Sequence, residues 1–186
     1  MAQAEAARVI EVIEEAGLSP ETDLALRQLL QRCFDAESNA FFATSRHWHG
    51  SKPLYSVVGR VAGERCAHVG VVVRRVRCGP TQVTVAGIQN VCVLPSCRGM
   101  KLGPWVMEAA MREAVRRQVP FGLLFCVPEL ERYYAGMGWI TTRAPAIMNL
   151  NGGPDEPIPG KNIGMYWTAD GSALPEGPIH LQGPDW

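Results

Sequence analysis

Val91-Cys-Val-Leu-Pro-Ser-Cys-Arg-Gly-Met-Lys-Leu-Gly-Pro-Trp-Val-Met-Glu108 reads as an apolar strand, a glycine-containing turn and the start of a helix. A helix beginning near Leu102 to Pro104 leaves its first N–H groups without intrahelical partners, and its dipole adds partial positive charge at that end. Such an end accepts phosphate readily. Pro104 fits the first helical turn, where a missing donor costs nothing. Gly99 and Gly103 permit close approach or positive φ, and Arg98 and Lys101 add two cationic side chains. An ordinary strand-to-helix turn carries the same residue types, so the turn alone does not separate the two readings.

Working outward, Pro104 to Gln118 predicts the main helix. Val106, Ala109, Ala110, Ala114 and Val115 form its apolar stripe, and Glu108, Arg112, Glu113, Arg116 and Arg117 its wet face. Pro120 to Val127 is a short continuous apolar run, the pattern of a strand buried on both faces. Strand, helix and strand in that order make a β-α-β unit, so this strand is expected to run parallel to the one ending at Leu94. Pro128 to Ala135 then predicts a short helix with proline in its first turn. Gly136-Met-Gly138 stops it, and one strand is expected from Trp139 to Leu150. Asn151 to Pro157 reads as a surface loop, Ile163 to Thr168 as a further strand, and Asp170 to Trp186 as a Pro/Gly-rich tail.

Upstream, Arg8 to Glu15 alternates as a first strand, and Ser19-Pro20-Glu21-Thr22-Asp23 has the capping residue, proline and early acids of a helix start. Leu24, Leu26, Leu29, Leu30, Cys33 and Phe34 follow as a core stripe. Asp35 to Pro53, with Phe41, Phe42, His47, Trp48 and His49, is irregular: a short helix and loop over a core, or the wall of a pocket. Leu54 to Ala62 and Cys66 to Arg77 flank a hairpin signal at Ala62-Gly63-Glu64-Arg65, and Gln82 to Leu94 completes an antiparallel meander. Arg74, Arg75 and Arg77 on that meander read as solvated surface.

The chain has 186 residues, with 18 Lys plus Arg against 18 Asp plus Glu. One domain, 1–186, is expected at this length. The charge balance supplies no global field for nucleic acid or acidic lipid. With no basic-then-apolar leader and no apolar run near the ~20 residues that span a bilayer, the expected location is the cytoplasm. The six cysteines are scattered, without Cys-x-x-Cys pairs or histidine at metal spacing, and read as buried thiols. Cys97, beside Arg98 and a helix start, is either an acidified thiol or a bystander. No metal is expected, because His47-x-His49 lacks a third ligand.

The order Arg98-Gly-Met-Lys-Leu-Gly103 resembles the pyrophosphate signature of the GNAT superfamily of acyl-CoA-dependent acyltransferases: Gln or Arg, two residues, Gly, one residue, then Gly or Ala. Lys101 stands where that pattern has its central glycine; its side chain either holds the backbone off a phosphate or pairs its ammonium with one. The element order is similar to the GNAT fold along almost the whole chain. The resemblance implies an α/β (α+β) fold: a mixed, mostly antiparallel sheet of about six to seven strands flanked by about four helices. It implies that the donor's pantetheine lies in a splay between Val91–Leu94 and Phe121–Val127, pairing with the backbone of Val91 and Val93. The N–H groups of Arg98, Gly99, Met100, Lys101, Leu102 and Gly103 would cradle the pyrophosphate. Tyr134, in Tyr134-Ala-Gly-Met-Gly138-Trp139, matches the family's general acid, which protonates the departing thiolate; packing at a helix end is the other reading.

Two branches look closest. Trp48 to Arg75, Val119-Pro-Phe-Gly122 and the tail ending Gly183-Pro184-Asp185-Trp186 resemble the nodulation N-acyltransferases, which take an acyl group from acyl-carrier protein to an amine of a chitooligosaccharide. The Arg98-Gly99 turn, Tyr134 to Trp139 and Trp186 look like the aminoglycoside 2'-N-acetyltransferases, which use acetyl-CoA. The second likeness makes Asp185 and Trp186 acceptor contacts, with His47, Trp48 and His49 as pocket wall. It also places Gln89 where that branch has its basic glutamate, and glutamine cannot take a proton. The implied activity is direct transfer, in a ternary complex, of an acetyl or longer acyl group from a CoA thioester to a primary amine of a small molecule. The alternatives are a carrier-protein donor and a non-catalytic CoA- or ligand-binding domain. Exposed strand edges make a homodimer an expectation too.

Overall fold

The computed structural model describes residues 7–47, 50–150, 152–158 and 162–186, apart from the side chains of Ala36, Glu37 and Asn39. The described residues form α-helices α1 (Pro20–Cys33), α2 (Ala36–Phe42), α3 (Leu102–Arg116) and α4 (Glu131–Ala135). The strands are β1 (Arg8–Glu14), β2 (Tyr55–Val61), β3 (Glu64–Cys78), β4 (Thr81–Val93), β5 (Phe121–Cys126), β6 (Ile140–Thr142), β7 (Ala146–Asn149), β8 (Asp155–Pro157), β9 (Ile163–Thr168) and β10 (Ile179–His180). They fall into two compact units. The first comprises residues up to Arg46 with Pro53–Val71 and Asn90–Ala110; the second comprises His47–Lys52, Val72–Gln89 and Met111–Trp186. β3, β4 and α3 each contribute to both.

In the first unit β1 pairs antiparallel with β2 from Arg8↔Val61 to Glu14↔Tyr55, and β2 pairs antiparallel with β3 through a bulge at Gly59/Arg60. The β2–β3 turn is the Ala62-Gly63 pair, with φ of 50° and 84°. Two positive φ values in a two-residue loop match the twist of the strands it joins. α1 starts where its sequence predicts: the Ser19 hydroxyl accepts from the Thr22 N–H at 3.2 Å, and Leu26, Leu29 and Leu30 are buried. The Tyr55 hydroxyl donates to the Ala110 carbonyl at 2.9 Å, joining β2 to α3. Gly59 leaves the room α3 needs, since a Cβ there would lie 2.9 Å from Val106 Cγ1.

In the second unit the strands lie in the order β6-β9-β5-β4-β3-β10-β7-β8. β5 runs parallel to β4 over Val85↔Phe121, Ala86↔Gly122 and Gly87↔Leu123. On its other side it pairs with β9 over its full length, Phe121↔Thr168 to Cys126↔Ile163. The apolar cluster of this unit gathers Val72, Val76, Val85, Leu123, Ile179, Leu181 and Trp186.

Several expectations are corrected. Among the described residues the sheet has ten strands, more than the six to seven expected from the sequence. The extra ones are short pieces in the Pro/Gly-rich segments, where two or three residues leave no periodicity to read. The single strand expected from Trp139 to Leu150 is two, β6 and β7, parted by Arg143-Ala144-Pro145, because proline cannot donate to a ladder. Asp155–Pro157, read as loop, is β8. α3 begins at Leu102, within the Leu102 to Pro104 start expected, and ends at Arg116, two residues before Gln118. On that helix Glu113 is buried, not wet, and holds Arg116 and Arg117 at 2.8 and 2.7 Å, whereas Val115 is exposed. Five cysteines are buried and Cys33 is half-buried, all unbridged.

Candidate active site

The backbone of the Arg98–Gly103 turn alternates left-handed residues ahead of a helix start. After β4, Pro95–Cys97 makes one 3-10 turn, Gly99 has φ 82° and Lys101 φ 57°, and α3 begins at Leu102. Left-handed residues alternating along a turn at a helix start make a concavity of N–H groups that suits anions. Lys101 therefore adopts the left-handed geometry that glycine would supply, at a backbone cost of ~1–2 kcal/mol, and its side chain is exposed. A Cβ at Gly99 would meet nothing within 4 Å, so the space above the turn is open. The Arg8 guanidinium donates to the Met100 carbonyl at 3.2 Å and braces the loop. Arg98 is exposed, Met100 half-buried, and Leu102 and Gly103 buried. Cys97 is buried, its sulfur 3.8 Å from the Ser96 hydroxyl.

Ahead of the turn, Asn90 interrupts β4 with φ 53°, a conformation asparagine tolerates better than most side chains. Its carbonyl accepts from His68 Nδ1 at 2.9 Å, and its side-chain amide donates to the Arg46 carbonyl at 2.5 Å. His68 Nε2 lies 3.2 Å from the Ser56 hydroxyl, which donates to Glu15 Oε1 at 2.8 Å. Glu15 and Asp23 hold the buried Arg46 guanidinium at 2.6 and 2.7 Å. These contacts run from Asn90 through His68, Ser56, Glu15 and Arg46 back to Asn90, with the one Ser56 proton on Glu15. Five separate stretches of chain contribute to them, so no local motif announces them.

His68 is 1% exposed, and burial pushes its pKa down to about 4, with Arg46 lowering it further and the Asn90 carbonyl and Glu15 opposing. Unfolded, the group titrates near 6.5; between those values the unfolded chain binds a proton that the folded chain does not. Stability is therefore full above about pH 6.5 and falls as pH drops toward 4, by ~3 kcal/mol for this group. Urea unfolding from pH 7 to pH 4 should show that loss in the wild type and a flatter profile in His68→Asn. Parallel profiles would remove His68 as the cause.

In the second unit Gln89 is 3% exposed, and its amide donates to the Ser51 carbonyl at 2.8 Å. Arg74, expected to be solvated, instead donates to the Pro184 carbonyl at 2.5 Å and to the Ser51 hydroxyl at 3.0 Å. Its guanidinium lies 5.2 Å over the Trp186 ring. Ser51 thus links Gln89 to the tail, and neither Ser51 nor Arg74 is singled out by the sequence. Trp186 lies on Gly87, where a Cβ would come within 2.2 Å of the indole, and its Nε1 donates to the Leu123 carbonyl at 3.4 Å. Gly87 and Leu123 are the last parallel pair of β4 and β5, so the indole sits at the end of that ladder. Asp185 and His47 are half-buried; Trp48 and His49 lie outside the described residues.

Tyr134 is 7% exposed on α4, set edge-on to Trp139 and Tyr133 at 6.4 and 5.2 Å between ring centroids. Burial, with Cys126 and Tyr133 adding to it, raises its pKa above the ordinary phenol value. The hydroxyl therefore stays protonated at working pH. Tyr133 is 41% exposed. Among the described residues no three His, Cys, Asp or Glu side chains cluster as metal ligands, and no helix is long and apolar enough to cross a membrane.

The fold recurs in solved N-acyltransferases. A GNAT family N-acetyltransferase of Escherichia coli in complex with CoA superposes with a TM-score of 0.67 at 14% identity, over 98% of this chain and 93% of the other. An acyl-CoA N-acyltransferase of Pseudomonas aeruginosa gives a TM-score of 0.60 at 18% identity, over 86% and 99%. The ribosomal-protein-S18-alanine N-acetyltransferase of Escherichia coli gives 0.55 at 17%, over 90% and 100%. No protein of curated function matches by sequence. The fold is that of the GNAT N-acyltransferases, and together with the family match it makes the chain a GNAT-type N-acyltransferase. Within that class, residues 9–151 match the Nodulation protein A (NodA) family, and the chain belongs to that family.

Proposed function

We propose that the chain transfers an acetyl or longer acyl group from a CoA thioester to a primary amine of a small molecule, an amino sugar or aminoglycoside, as one acyltransferase domain spanning 1–186. The observation that carries this reading is the turn itself: Gly99 and Lys101 both left-handed before the start of α3. The turn suits a pyrophosphate because it opens a helix start and a Cβ at Gly99 would meet nothing within 4 Å; the Arg98 N–H is already given to the Pro95 carbonyl at 3.3 Å, so Arg98 would contribute its guanidinium. Arg98 and Lys101 would add their charges to those of the backbone. Lys101 in this reading pairs with a phosphate rather than displacing it, since its backbone already has the shape the family's glycine supplies.

The chemistry is positioning plus charge stabilisation in a ternary complex. Leu94 donates its N–H to Cys66 of β3 at 2.8 Å. By the alternation of a strand, Val91 and Val93 turn their backbone groups to the opposite edge, where pantetheine and the acyl carbonyl would meet them. The amine nitrogen forms the new C–N bond as the C–S bond breaks. Tyr134 gives its proton to the leaving thiolate, and the ammonium proton passes to water. Gln89 has no part as a base, since it is an amide and donates to Ser51. Trp186, Asp185 and His47 are the described residues assigned to the acceptor side.

A carrier-protein donor would present the same pantetheine and phosphate to the same turn. Calorimetric titration with acetyl-CoA tests the reading: saturable binding supports it, and no heat with acetyl-CoA or a long-chain acyl-CoA counts against a CoA donor.

A further inference from the structure

The proposal rests on the donor-binding reading above and assigns a role to residues that the sequence left unremarked. A trans peptide unit is planar, with its C=O and N–H pointing in opposite directions, and the described chain has no cis peptide bond. The Asn90 carbonyl and the Val91 N–H share one such unit. His68 Nδ1 must be the donor to that carbonyl, at 2.9 Å, because a carbonyl oxygen only accepts. Fixing the carbonyl toward His68 turns the Val91 N–H directly away from it. The left-handed φ of 53° at Asn90 is what allows the plane to stand that way inside a strand, and the Asn90 amide on the Arg46 carbonyl fixes the residue from its other end.

We infer that His68 is a positioning residue for acyl transfer: through the Asn90 carbonyl it aims the Val91 N–H at the donor's thioester carbonyl. The imidazole is itself buried and does not touch substrate. With Nδ1 protonated, Nε2 can only accept, and the one Ser56 proton goes to Glu15 at 2.8 Å. The 3.2 Å approach of Nε2 to Ser56 is therefore a packing contact, and the bond to the Asn90 carbonyl is what fixes the buried imidazole against the backbone. A hydrogen-bond donor aimed at developing negative charge is worth most when it needs no reorganisation at the moment of reaction. A buried imidazole bonded to the Asn90 carbonyl supplies that fixity.

The test compares His68→Leu with His68→Asn, because an asparagine amide nitrogen falls close to the Nδ1 position and keeps the donor. Thiol release from acetyl-CoA with glucosamine gives kcat and KM, thermal unfolding gives the folded fraction, and the Val91 amide resonance is followed as acetyl-CoA is added. The expected result is a kcat per folded molecule ~10-fold or more lower in His68→Leu, within the ~10²–10³ that loss of an oxyanion donor costs. KM for acetyl-CoA should change little, His68→Asn should recover most of the turnover, and the Val91 shift seen in wild type should shrink in His68→Leu alone. If His68→Leu proves unfolded, His68→Asn decides: turnover and Val91 shift like wild type support the role, and their loss overturns it. Wild-type turnover that His68→Leu leaves unchanged overturns this inference and spares the functional reading. A wild type that neither binds acetyl-CoA nor shifts Val91 overturns both.

Discussion

Tyr134→Phe should lower kcat by ~10²–10⁴, the contribution of a positioned general acid, while affinity for acetyl-CoA stays within about threefold of wild type, well under the ~1.4 kcal/mol of a tenfold change. The split follows from where the residue sits. The ring is 93% withdrawn from solvent, being 7% exposed, and packs edge-on against Trp139 and Tyr133; phenylalanine keeps those contacts. Only the hydroxyl is lost, and burial holds that hydroxyl protonated. Stopped-flow thiol release with an amine acceptor, alongside a donor titration, separates the two quantities. A variant with full turnover would show that Tyr134 is a packing residue and leave the thiolate to leave unaided or to be protonated by water.

The second large effect belongs to Trp186→Ala, which should destabilise the fold by ~3–5 kcal/mol, the range for removing a buried large aromatic side chain. Its indole fills the space over Gly87, meets Phe125 at 6.0 Å between centroids, stacks under Arg74 at 5.2 Å and holds the Leu123 carbonyl. Removing it opens a cavity at the last β4–β5 pair and strips Arg74 of its aromatic partner. Gly87→Ala attacks the same contact from the strand side, since its methyl would enter the indole at 2.2 Å. Chemical denaturation reads both. A loss below about 1 kcal/mol for Trp186→Ala, less than the ~1.5–3 kcal/mol of burying an ordinary apolar side chain, would mean the tail is not part of the packed unit.

Long or punctuated elements were legible in the sequence. β1, α1 with its Ser19 cap, the Ala62-Gly63 hairpin, β5 and β9 all carry a period, a cap or a turn residue that acts locally. The turn into α3 was legible because Pro104 and its glycines mark it, yet the left-handed conformation of Lys101 was not, since nothing about a lysine announces positive φ. β8 and β10 are too short for a pattern. β10 becomes a strand only because β3 and β7 flank it, antiparallel at Ile179↔Cys78 and parallel at Ile179↔Ala146. Arg74 looked like one of three surface arginines, because a strand residue's burial depends on what covers its face; here the cover comes from a segment 110 residues later. The ring through Asn90, His68, Ser56, Glu15 and Arg46 stayed hidden for the same reason. Its members are ordinary residues until distant backbone brings them together.

The central claim is that the Arg98–Gly103 turn holds the phosphates of a CoA thioester, and calorimetry with acetyl-CoA on wild type, Lys101→Met and Lys101→Gly tests it most directly. The account predicts one saturable site per chain in the wild type and a matching rise in unfolding temperature. It predicts weaker binding in Lys101→Met, which keeps the left-handed strain and loses the charge. Lys101→Gly loses the same charge and frees the backbone, so it should bind at least as well as Lys101→Met and unfold no earlier. Wild-type protein that shows neither heat nor a thermal shift with acetyl-CoA, at concentrations where a CoA-dependent enzyme is saturated, would contradict the claim.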